Sequence, residues 1–312
     1  MPDSRVELML DFEKPFLTDG GMETTLIFHE GIDLPHFASI TLMQTEQGRE
    51  VLKNYFRSYL QLAKTYQTGF VLESVTWRAS ADWASPLGLT QSQLQRLNEQ
   101  SVQLLEEIRA EFCDHQHPIL LSGCIGPRGD GYQPGQMMTA QEAEKYHRGQ
   151  TLQLVNGQAD MISAMTLSYM EEGLGIARAA QSNEIPVVLS FTLETDGRLP
   201  SGELLSDVIR QVDEATGGYP LYYMINCAHP SHFLHLFEEQ GEWMQRIQGL
   251  RTNASTKSHA ELDESTELDI GDPQQLGRDH ISLMSFLNNL KVLGGCCGTD
   301  LRHVDAIARN CL

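Results

Sequence analysis

Three cysteines in the last third of the chain have the residue type and the setting that metal chemistry requires. Cys296 and Cys297 are adjacent, and they follow a short apolar run and two glycines. A trans peptide holds neighbouring Cα atoms about 3.8 Å apart, which is closer than disulfide geometry favours, so these two cysteines are poorly placed to bond each other. Their sulfurs are better placed to face one soft metal, and a tetrahedral zinc site then needs a further ligand from elsewhere in the chain.

Cys227 is the candidate for that further ligand. It follows another short apolar run, 221–226, just as Cys296 follows the run 290–293. If both runs are strands of one parallel barrel, both cysteines lie at the rim where barrel enzymes carry their active sites. Three thiolates with one open position are typical of a catalytic zinc rather than a closed structural one. The alternative is that all three are packing residues, since buried cysteines are common.

Apolar runs of strand length recur along the whole chain, and helical periodicity follows most of them. The predicted strands are 16–19, 69–72, 119–122, 161–165, 186–191, 221–226, 246–250 and 290–293. The predicted helices are 45–66, 90–112, 139–157, 171–181, one from 201, 273–289 and 300–310, and 252–272 is predicted to be a long surface loop. Eight strands alternating with helices predict an α/β protein with a (β/α)₈ (TIM) barrel. No phosphate-binding glycine motif opens the first turn, which disfavours a dinucleotide-binding fold.

The composition limits the possible partners and the compartment. No linker divides the chain, so we predict one domain over 1–312 with its core at about 16–310. A net charge of −20 makes nucleic acid and anionic membrane surfaces unlikely to bind. The polar N-terminus is unlike a signal peptide, and no apolar run approaches membrane-spanning length. We therefore expect a cytoplasmic protein whose six cysteines are reduced; the sequence allows a homo-oligomer without indicating one.

At these cysteines the chain resembles the homocysteine S-methyltransferase family of zinc-dependent thiol methyltransferases. The resemblance runs from about 17 to 308, and its motifs are LTDGGMET at 17–24, GP at 126–127, SFTL at 190–193, INC at 225–227 and GGCCG at 294–298. It implies a barrel enzyme that methylates the thiol of homocysteine, the chemistry of methionine biosynthesis. It also implies that Cys227, Cys296 and Cys297 hold a catalytic Zn²⁺.

Zinc explains how a small thiol becomes a nucleophile in such an enzyme. A free thiol is mostly protonated near neutral pH, and binding to zinc as a fourth ligand would deprotonate it. The sulfur could then attack a methyl group on a sulfonium or ammonium donor in line. The chain has no additional region for a folate or cobalamin module, so we expect a donor like S-methylmethionine rather than methyltetrahydrofolate.

The expected substrate contacts lie beyond the ends of strands one, two and four. By resemblance, Asp19 contacts the amino group of the acceptor, and we add Gly20 and Glu23 from the same loop. Many family members have Glu-Thr after strand four, and we expect Thr166 to take the position of that Glu. The acceptor is then homocysteine held differently or another small thiol. Arg78 either binds a substrate carboxylate or faces solvent.

Two other functions fit the same residues. One is a zinc-binding barrel, a sensor or an inactive relative, that binds a small thiol without transferring a methyl group. The other is a metal-free barrel enzyme in which the three cysteines are only buried.

Overall fold

The fold is a closed barrel of eight parallel strands in which each strand pairs with its neighbours in sequence. A computed structural model describes residues 4–112, 117–238, 240–265 and 267–312. The strands are β1 (Phe16–Leu17), β2 (Phe70–Glu73), β3 (Ile119–Ile125), β4 (Met161–Leu167), β5 (Val187–Phe191), β6 (Tyr223–Asn226), β7 (Ile247–Thr252) and β8 (Val292–Gly295). The pairing of Phe16 with Val292 joins β1 to β8 and closes the barrel. The predicted (β/α)₈ barrel is confirmed.

Helices follow the strands and cover the outside of the barrel. They are α1 (Ser4–Asp11), α2 (Met22–Thr24), α3 (Glu46–Thr65), α4 (Gln91–Phe112), α5 (Ala140–Asn156), α6 (Met170–Ser182), α7 (Leu205–Thr216), α8 (Pro230–Phe233), α9 (His259–Asp263), α10 (Pro273–Met284) and α11 (Leu301–Cys311). Several helices begin at a residue whose side chain caps the first turn. Thr45 caps α3, and Thr139 forms a capping box with Glu142 at the start of α5. Within the described ranges, no helix combines the length and the apolar character needed to cross a bilayer.

The strands are buried on both faces, as expected for a parallel sheet inside a layer of helices. All seven residues of β3 and of β4 are buried. One group of buried side chains, distinct from the main core, draws mostly on the strands and on α1; it includes Val6, Met9, Val71, Val188 and Val292. Helix α1 therefore packs against the strands through its buried residues, which the sequence analysis did not predict.

The structure departs from the predicted elements mainly at their ends. Strands β3 and β4 continue to Ile125 and Leu167, so Cys124 and Thr166 lie within strands rather than after them. The predicted loop 252–272 contains the short helix α9, which starts at a capping box formed by Ser258 and Glu261. Five residues are too few to produce a periodic apolar pattern, so this helix had no signal beyond its cap.

Candidate active site

The sulfur atoms of three cysteines converge at the rim formed by the carboxyl ends of the strands. Cys227 directly follows β6, while Cys296 and Cys297 directly follow β8. Their sulfur atoms all lie within 4.8 Å of one another. The sulfur of Cys297 is 3.9 Å from that of Cys227. Cys227 and Cys296 are 69 positions apart in the sequence. The closed barrel brings them together because β6 and β8 flank β7.

Cys227 and Cys296 are joined by a disulfide in this structure, whereas Cys297 is a free cysteine. This differs from the expectation that the thiols are reduced. The physical reason is the geometry of the rim: the two Cα atoms are 5.4 Å apart, which falls within the usual range for a disulfide. The adjacent pair Cys296–Cys297 is not bonded, as expected.

Main-chain hydrogen bonds to β7 hold the cysteines in place. The N–H of Cys227 donates to the carbonyl of Arg251 at 3.1 Å, and the N–H of Cys296 donates to the carbonyl of Thr252 at 2.8 Å. Cys227 has a φ of +54°, in the left-handed region that non-glycine residues rarely adopt. Such strain costs on the order of 1–3 kcal/mol and persists where the surroundings enforce it.

The loop after β1 packs directly against the cysteine turn. A Cβ atom added at Gly21 would lie 2.5 Å from the carbonyl oxygen of Cys296. The N–H of Gly298 donates to the hydroxyl of Thr24 at 3.2 Å. Glycine is therefore required at Gly21 by close approach, and this contact positions Asp19 and Glu23 beside the cysteines.

Asn226 connects the cysteine cluster to β4 and β5. Its Oδ1 accepts from the N–H of Thr166 at 2.9 Å and from the hydroxyl of Ser190 at 2.6 Å, while its Nδ2 donates to Oγ1 of Thr166 at 2.8 Å. The Thr166 hydroxyl lies 3.9 Å from the sulfur of Cys227, and Thr166 also has a positive φ of +63°. The structure thus places Thr166 against the cysteine cluster, with its polar atoms engaged by Asn226.

A buried guanidinium lies between two carboxylates next to the cysteines. Nη2 of Arg251 is 2.7 Å from Oδ1 of Asp19, and Nη1 of the same arginine forms an ion pair with Oε2 of Glu73. Its Nε donates to the carbonyl of Gly295 at 3.0 Å. The Tyr55 hydroxyl donates to the other oxygen of Asp19 at 3.1 Å. Asp19, predicted to contact a substrate amine, is therefore already paired with a cation.

Burial dominates the proton affinity of these carboxyl groups. It raises the pKa of Asp19 and of Glu73 above their ordinary values, although the nearby charge of Arg251 acts in the opposite direction. Burial also raises the pKa of Glu23, and the hydroxyl of Ser39, which donates to its Oε1 at 2.7 Å, opposes that shift.

An aromatic pair, one ring from the loop after β3 and one from the start of α9, packs over the cysteines. The rings of Tyr132 and His259 are stacked, with centroids 4.0 Å apart and planes 16° from parallel. The Tyr132 hydroxyl is 3.5 Å from the sulfur of Cys297, and Nε2 of His259 is 2.7 Å from the carbonyl oxygen of Cys227. These two side chains therefore contact two of the three cysteines.

Arg78 lies at the edge of the same cavity in an aromatic setting. Its guanidinium carbon is 5.0 Å from the ring centroid of Trp77 and 4.8 Å from that of Trp83. Nη1 donates to the carbonyl of His36 at 2.5 Å, and Nη2 is 3.7 Å from the carboxylate of Asp130. Arg78 therefore lines the cavity with its guanidinium held by neighbouring groups, and its binding of a substrate carboxylate stays a prediction.

Most of these groups, though not Tyr55, Ser190 or His259, line one cavity of about 420 Å³. Every predicted site residue contributes to its wall: Asp19, Gly20, Glu23, Arg78, Thr166, Cys227, Cys296 and Cys297. Its volume is typical of small-molecule sites, and its wall combines the cysteines with carboxylates and aromatic side chains.

The donor atoms suit a soft metal ion such as zinc. Three sulfurs from the rim meet the requirement for thiolate ligands and leave a fourth position for a substrate. Among the described residues, these cysteines form the one group of three or more side chains close enough together to hold a metal. Cys227 and Cys296 must be reduced before they can act as ligands, because the thiolate is the ligating form.

Sequence reasoning missed several residues of the site, namely Tyr55, Glu73, Tyr132, Arg251 and His259. Glu73 is the last residue of β2 and Arg251 is in the last two residues of β7. A charged residue at the end of an apolar strand is a usable signal, because a barrel places it at the active-site rim. Tyr132 and His259 had no such signal: Tyr132 lies in a loop and His259 begins the short helix α9, and the position of both depends on the tertiary structure.

Comparisons with known proteins agree with the fold and the motifs. The family model for homocysteine S-methyltransferase matches residues 16–311. The chain is 21% identical to homocysteine S-methyltransferase 1 of Arabidopsis thaliana over 94% of this chain and 92% of that protein. It is 23% identical to homocysteine S-methyltransferase YbgG of Bacillus subtilis (strain 168), over 97% and 96% of the two chains. The crystal structure of the homocysteine methyltransferase MmuM from Escherichia coli superimposes with a TM-score of 0.77 in its oxidized form and 0.74 in its metallated form, at 20% identity over 98% of this chain and 99% of that one.

Proposed function

This chain belongs to the homocysteine S-methyltransferase family, and we propose that it transfers a methyl group from a sulfonium or ammonium donor to the sulfur of homocysteine or a related small thiol. The observation that carries this proposal is the group of three cysteine sulfurs within 4.8 Å of one another, at the wall of a cavity of about 420 Å³. S-methylmethionine is the donor that we propose to test first.

Cys227, Cys296 and Cys297 are the residues that would hold a zinc ion. When bound there, zinc would supply Lewis acidity that lowers the pKa of the acceptor thiol and keeps its sulfur nucleophilic near neutral pH. Main-chain bonds to β7 and the packing of Gly21 fix the three sulfurs before substrate arrives. The protein thereby avoids ordering its own ligands at the moment of binding.

The remaining side chains orient the reactants and exclude water. In the reaction, the acceptor loses its thiol proton to solvent, and its sulfur forms a bond to the methyl carbon. The bond between that carbon and the donor heteroatom breaks, and the electron pair stays with that heteroatom, which becomes neutral as the donor leaves. Trp77, Met165 and Tyr132 give the cavity apolar surface, which favours alignment of the methyl group between the two heteroatoms. Arg78 is our candidate for holding a substrate carboxylate at the cavity edge.

We propose that the enzyme acts in the cytoplasm, because Cys227 and Cys296 must be reduced to serve as ligands and reducing compartments keep thiols free. The test is to purify the full chain with a thiol reductant and zinc, and to measure bound zinc and the formation of methionine from homocysteine and S-methylmethionine. We expect about one zinc per chain and product formation. Cys297→Ser should lose both, whereas Cys311→Ser, at a cysteine outside the cavity wall, should lose neither. Zinc-free wild-type protein, or unchanged zinc content and turnover in Cys297→Ser, would contradict the proposal.

A second candidate is a barrel that binds a small thiol without transferring a methyl group. It is favoured by the engagement of Asp19 with Arg251 and of Thr166 with Asn226, which leaves neither residue free for a substrate. Isothermal titration with homocysteine, run alongside the turnover assay, separates the two functions. Thiol binding without methylated product from sulfonium or ammonium donors would favour this second function.

A further inference from the structure

We infer that Glu23 is the residue that selects a cationic thiol as the acceptor, and that Arg251 is a positioning residue which removes Asp19 and Glu73 from that role. The inference rests on the proposed function and specifies which residue recognises the amino group of its acceptor. It starts from three carboxyl groups and one guanidinium that line the cavity beside the cysteines.

Arg251 donates most of its N–H groups to acceptors within the protein. Of its five N–H donors, Nε–H bonds the carbonyl of Gly295, one Nη1–H bonds Glu73, and the two on Nη2 bond Asp19 at 2.7 Å and the carbonyl of Gly20 at 3.2 Å. A substrate carboxylate at this position would have one N–H to bond and two carboxylates to face. Arg251 is therefore unsuited to bind an anionic substrate, and its contacts fix the strand ends that carry the cysteines.

Asp19 and Glu73 are correspondingly unsuited to bind a substrate cation. Oδ1 of Asp19 accepts from Arg251 and Oδ2 accepts from the Tyr55 hydroxyl. An ammonium group placed at Asp19 would have to approach a guanidinium that is already 2.7 Å from the same carboxylate. Two like charges so close in a buried site repel strongly, because the surroundings screen them poorly.

Glu23 differs from both in having no cation of its own. Its carboxyl accepts from the Ser39 hydroxyl, and no basic side chain among the described residues forms an ion pair with it, although the charge of Arg251 acts on it. It is only partly buried, and it faces the cavity. The contacts of Gly21 and Thr24 with the cysteine turn hold the Glu23 loop beside the sulfurs.

The charge of the whole cavity supports the same conclusion. Six acidic side chains and two basic ones line it, and both arginines are paired with carboxylates from the same wall. A ligand with a positive group is therefore attracted to the cavity, and among the carboxylates beside the cysteines it gains most at Glu23, which has no ion-pair partner. An amino group a few bonds from the thiol would let one molecule contact both Glu23 and the cysteine cluster.

The test compares three thiols that share the same carbon chain from the sulfur and differ in the charged groups at its end. Homocysteine carries an amine and a carboxylate, 3-aminopropane-1-thiol carries only the amine, and 4-mercaptobutyrate carries only the carboxylate. Their binding to the reduced, zinc-loaded full chain is measured by calorimetry. We expect wild type to bind the two amines at least about tenfold more tightly than 4-mercaptobutyrate, in line with the strength of charged hydrogen bonds.

Glu23→Gln keeps the size of the side chain and its contact with Ser39 but removes the charge. We expect it to weaken binding of both amines by about 10-fold to 100-fold, to leave 4-mercaptobutyrate unchanged or slightly tighter, and to unfold at the wild-type urea midpoint. Asp19→Asn should retain the preference for amines. The inference is overturned if wild type binds 4-mercaptobutyrate as tightly as 3-aminopropane-1-thiol, or if Asp19→Asn rather than Glu23→Gln abolishes the preference. In either case thiol binding and turnover would still stand, whereas wild type that binds none of the three thiols would refute both proposals.

Discussion

The hydroxyl of Tyr132, in the loop after β3, lies 3.5 Å from the sulfur of Cys297, which follows β8. Burial raises the pKa of the Cys297 thiol, and this contact with Tyr132 lowers it. Groups that contact a metal ligand in this way orient the ligand and adjust its basicity. Tyr132 therefore contributes to the proposed zinc site although it is not itself a ligand.

Tyr132→Phe removes the hydroxyl and keeps the ring that stacks on His259. We expect zinc affinity to fall by roughly 10-fold, at the lower end of the usual cost of losing such a contact. Competition with a chromogenic chelator under reducing conditions measures the change. Tyr66→Phe is the matched control, because that hydroxyl bonds Asp305 outside the cavity. Equal zinc affinity in both variants would mean that the contact with the sulfur has no effect on the metal.

Arg251→Met should destabilise the fold, because Asp19 and Glu73 would remain buried without a counter-charge. Breaking a buried ion pair from one side costs about 3–5 kcal/mol in unfolding free energy. Urea unfolding at pH 7 measures the loss. Arg57→Met serves as the control: Arg57 pairs with Glu50 and Glu111 on the surface, where we expect a cost of less than about 1 kcal/mol. Similar losses in the two variants would contradict the assigned role of the buried cluster.

Glu172 anchors the glycine-rich loop that carries Tyr132. Its Oε1 accepts from the N–H of Arg128 at 2.7 Å and lies 2.9 Å from Nε2 of the fully buried His147. Glu172→Ala would remove both hydrogen bonds and leave the buried His147 without this partner, at a cost of about 1–3 kcal/mol in unfolding free energy.

We therefore expect Glu172→Ala to speed proteolytic cleavage within 126–137 by roughly 5-fold to 100-fold, since each 1.4 kcal/mol changes an equilibrium about tenfold. Limited proteolysis followed by mass spectrometry of the fragments would show it. Glu171→Ala, one position earlier on the same helix, is the control and should be cleaved at the wild-type rate. Unchanged cleavage in Glu172→Ala would show that the loop is held by other contacts.

His280 makes the stability of the fold depend on acidic pH. Burial lowers its pKa from 6.5 to about 4, and its Nδ1 bonds the carbonyl of Leu276 at 2.8 Å. Between pH 4 and 6.5 the unfolded chain binds this proton more readily than the folded chain does. The stability contributed by the neutral ring is therefore full above pH 6.5 and is lost as the pH falls towards 4, by up to about 3 kcal/mol.

His280→Asn keeps a donor for the Leu276 carbonyl and removes the titrating ring. We expect the variant to lose less unfolding free energy than wild type between pH 7 and pH 4.5, measured by urea titration at each pH. The comparison with wild type is needed because burial raises the pKa of Asp19 and Glu73, which contributes a pH dependence of opposite sign. The exposed His235→Asn should follow wild type. Parallel curves for His280→Asn and wild type would refute the assignment.

The sequence alone determined the barrel and the identity of the cysteines. Eight apolar runs could be recognised because strands buried on both faces are continuously apolar, and that signal is local. The runs before Cys227 and Cys296 also sufficed to predict that these residues share a rim, since parallel strands of a barrel end on the same side. The position of Glu23 after the first strand was recognisable for the same reason.

Only the tertiary structure decided which charges face each other. Arg251 and Asp19 are 232 positions apart, and no local sequence pattern indicates that they form an ion pair. The pairing arises because the barrel closes β8 onto β1 and brings the end of β7 within reach of the first loop. The stacking of Tyr132 on His259 depends likewise on a loop and a short helix, α9, that meet only in the folded chain. A sequence records which side chains are charged, whereas the closed barrel decides which of those charges remain for a substrate.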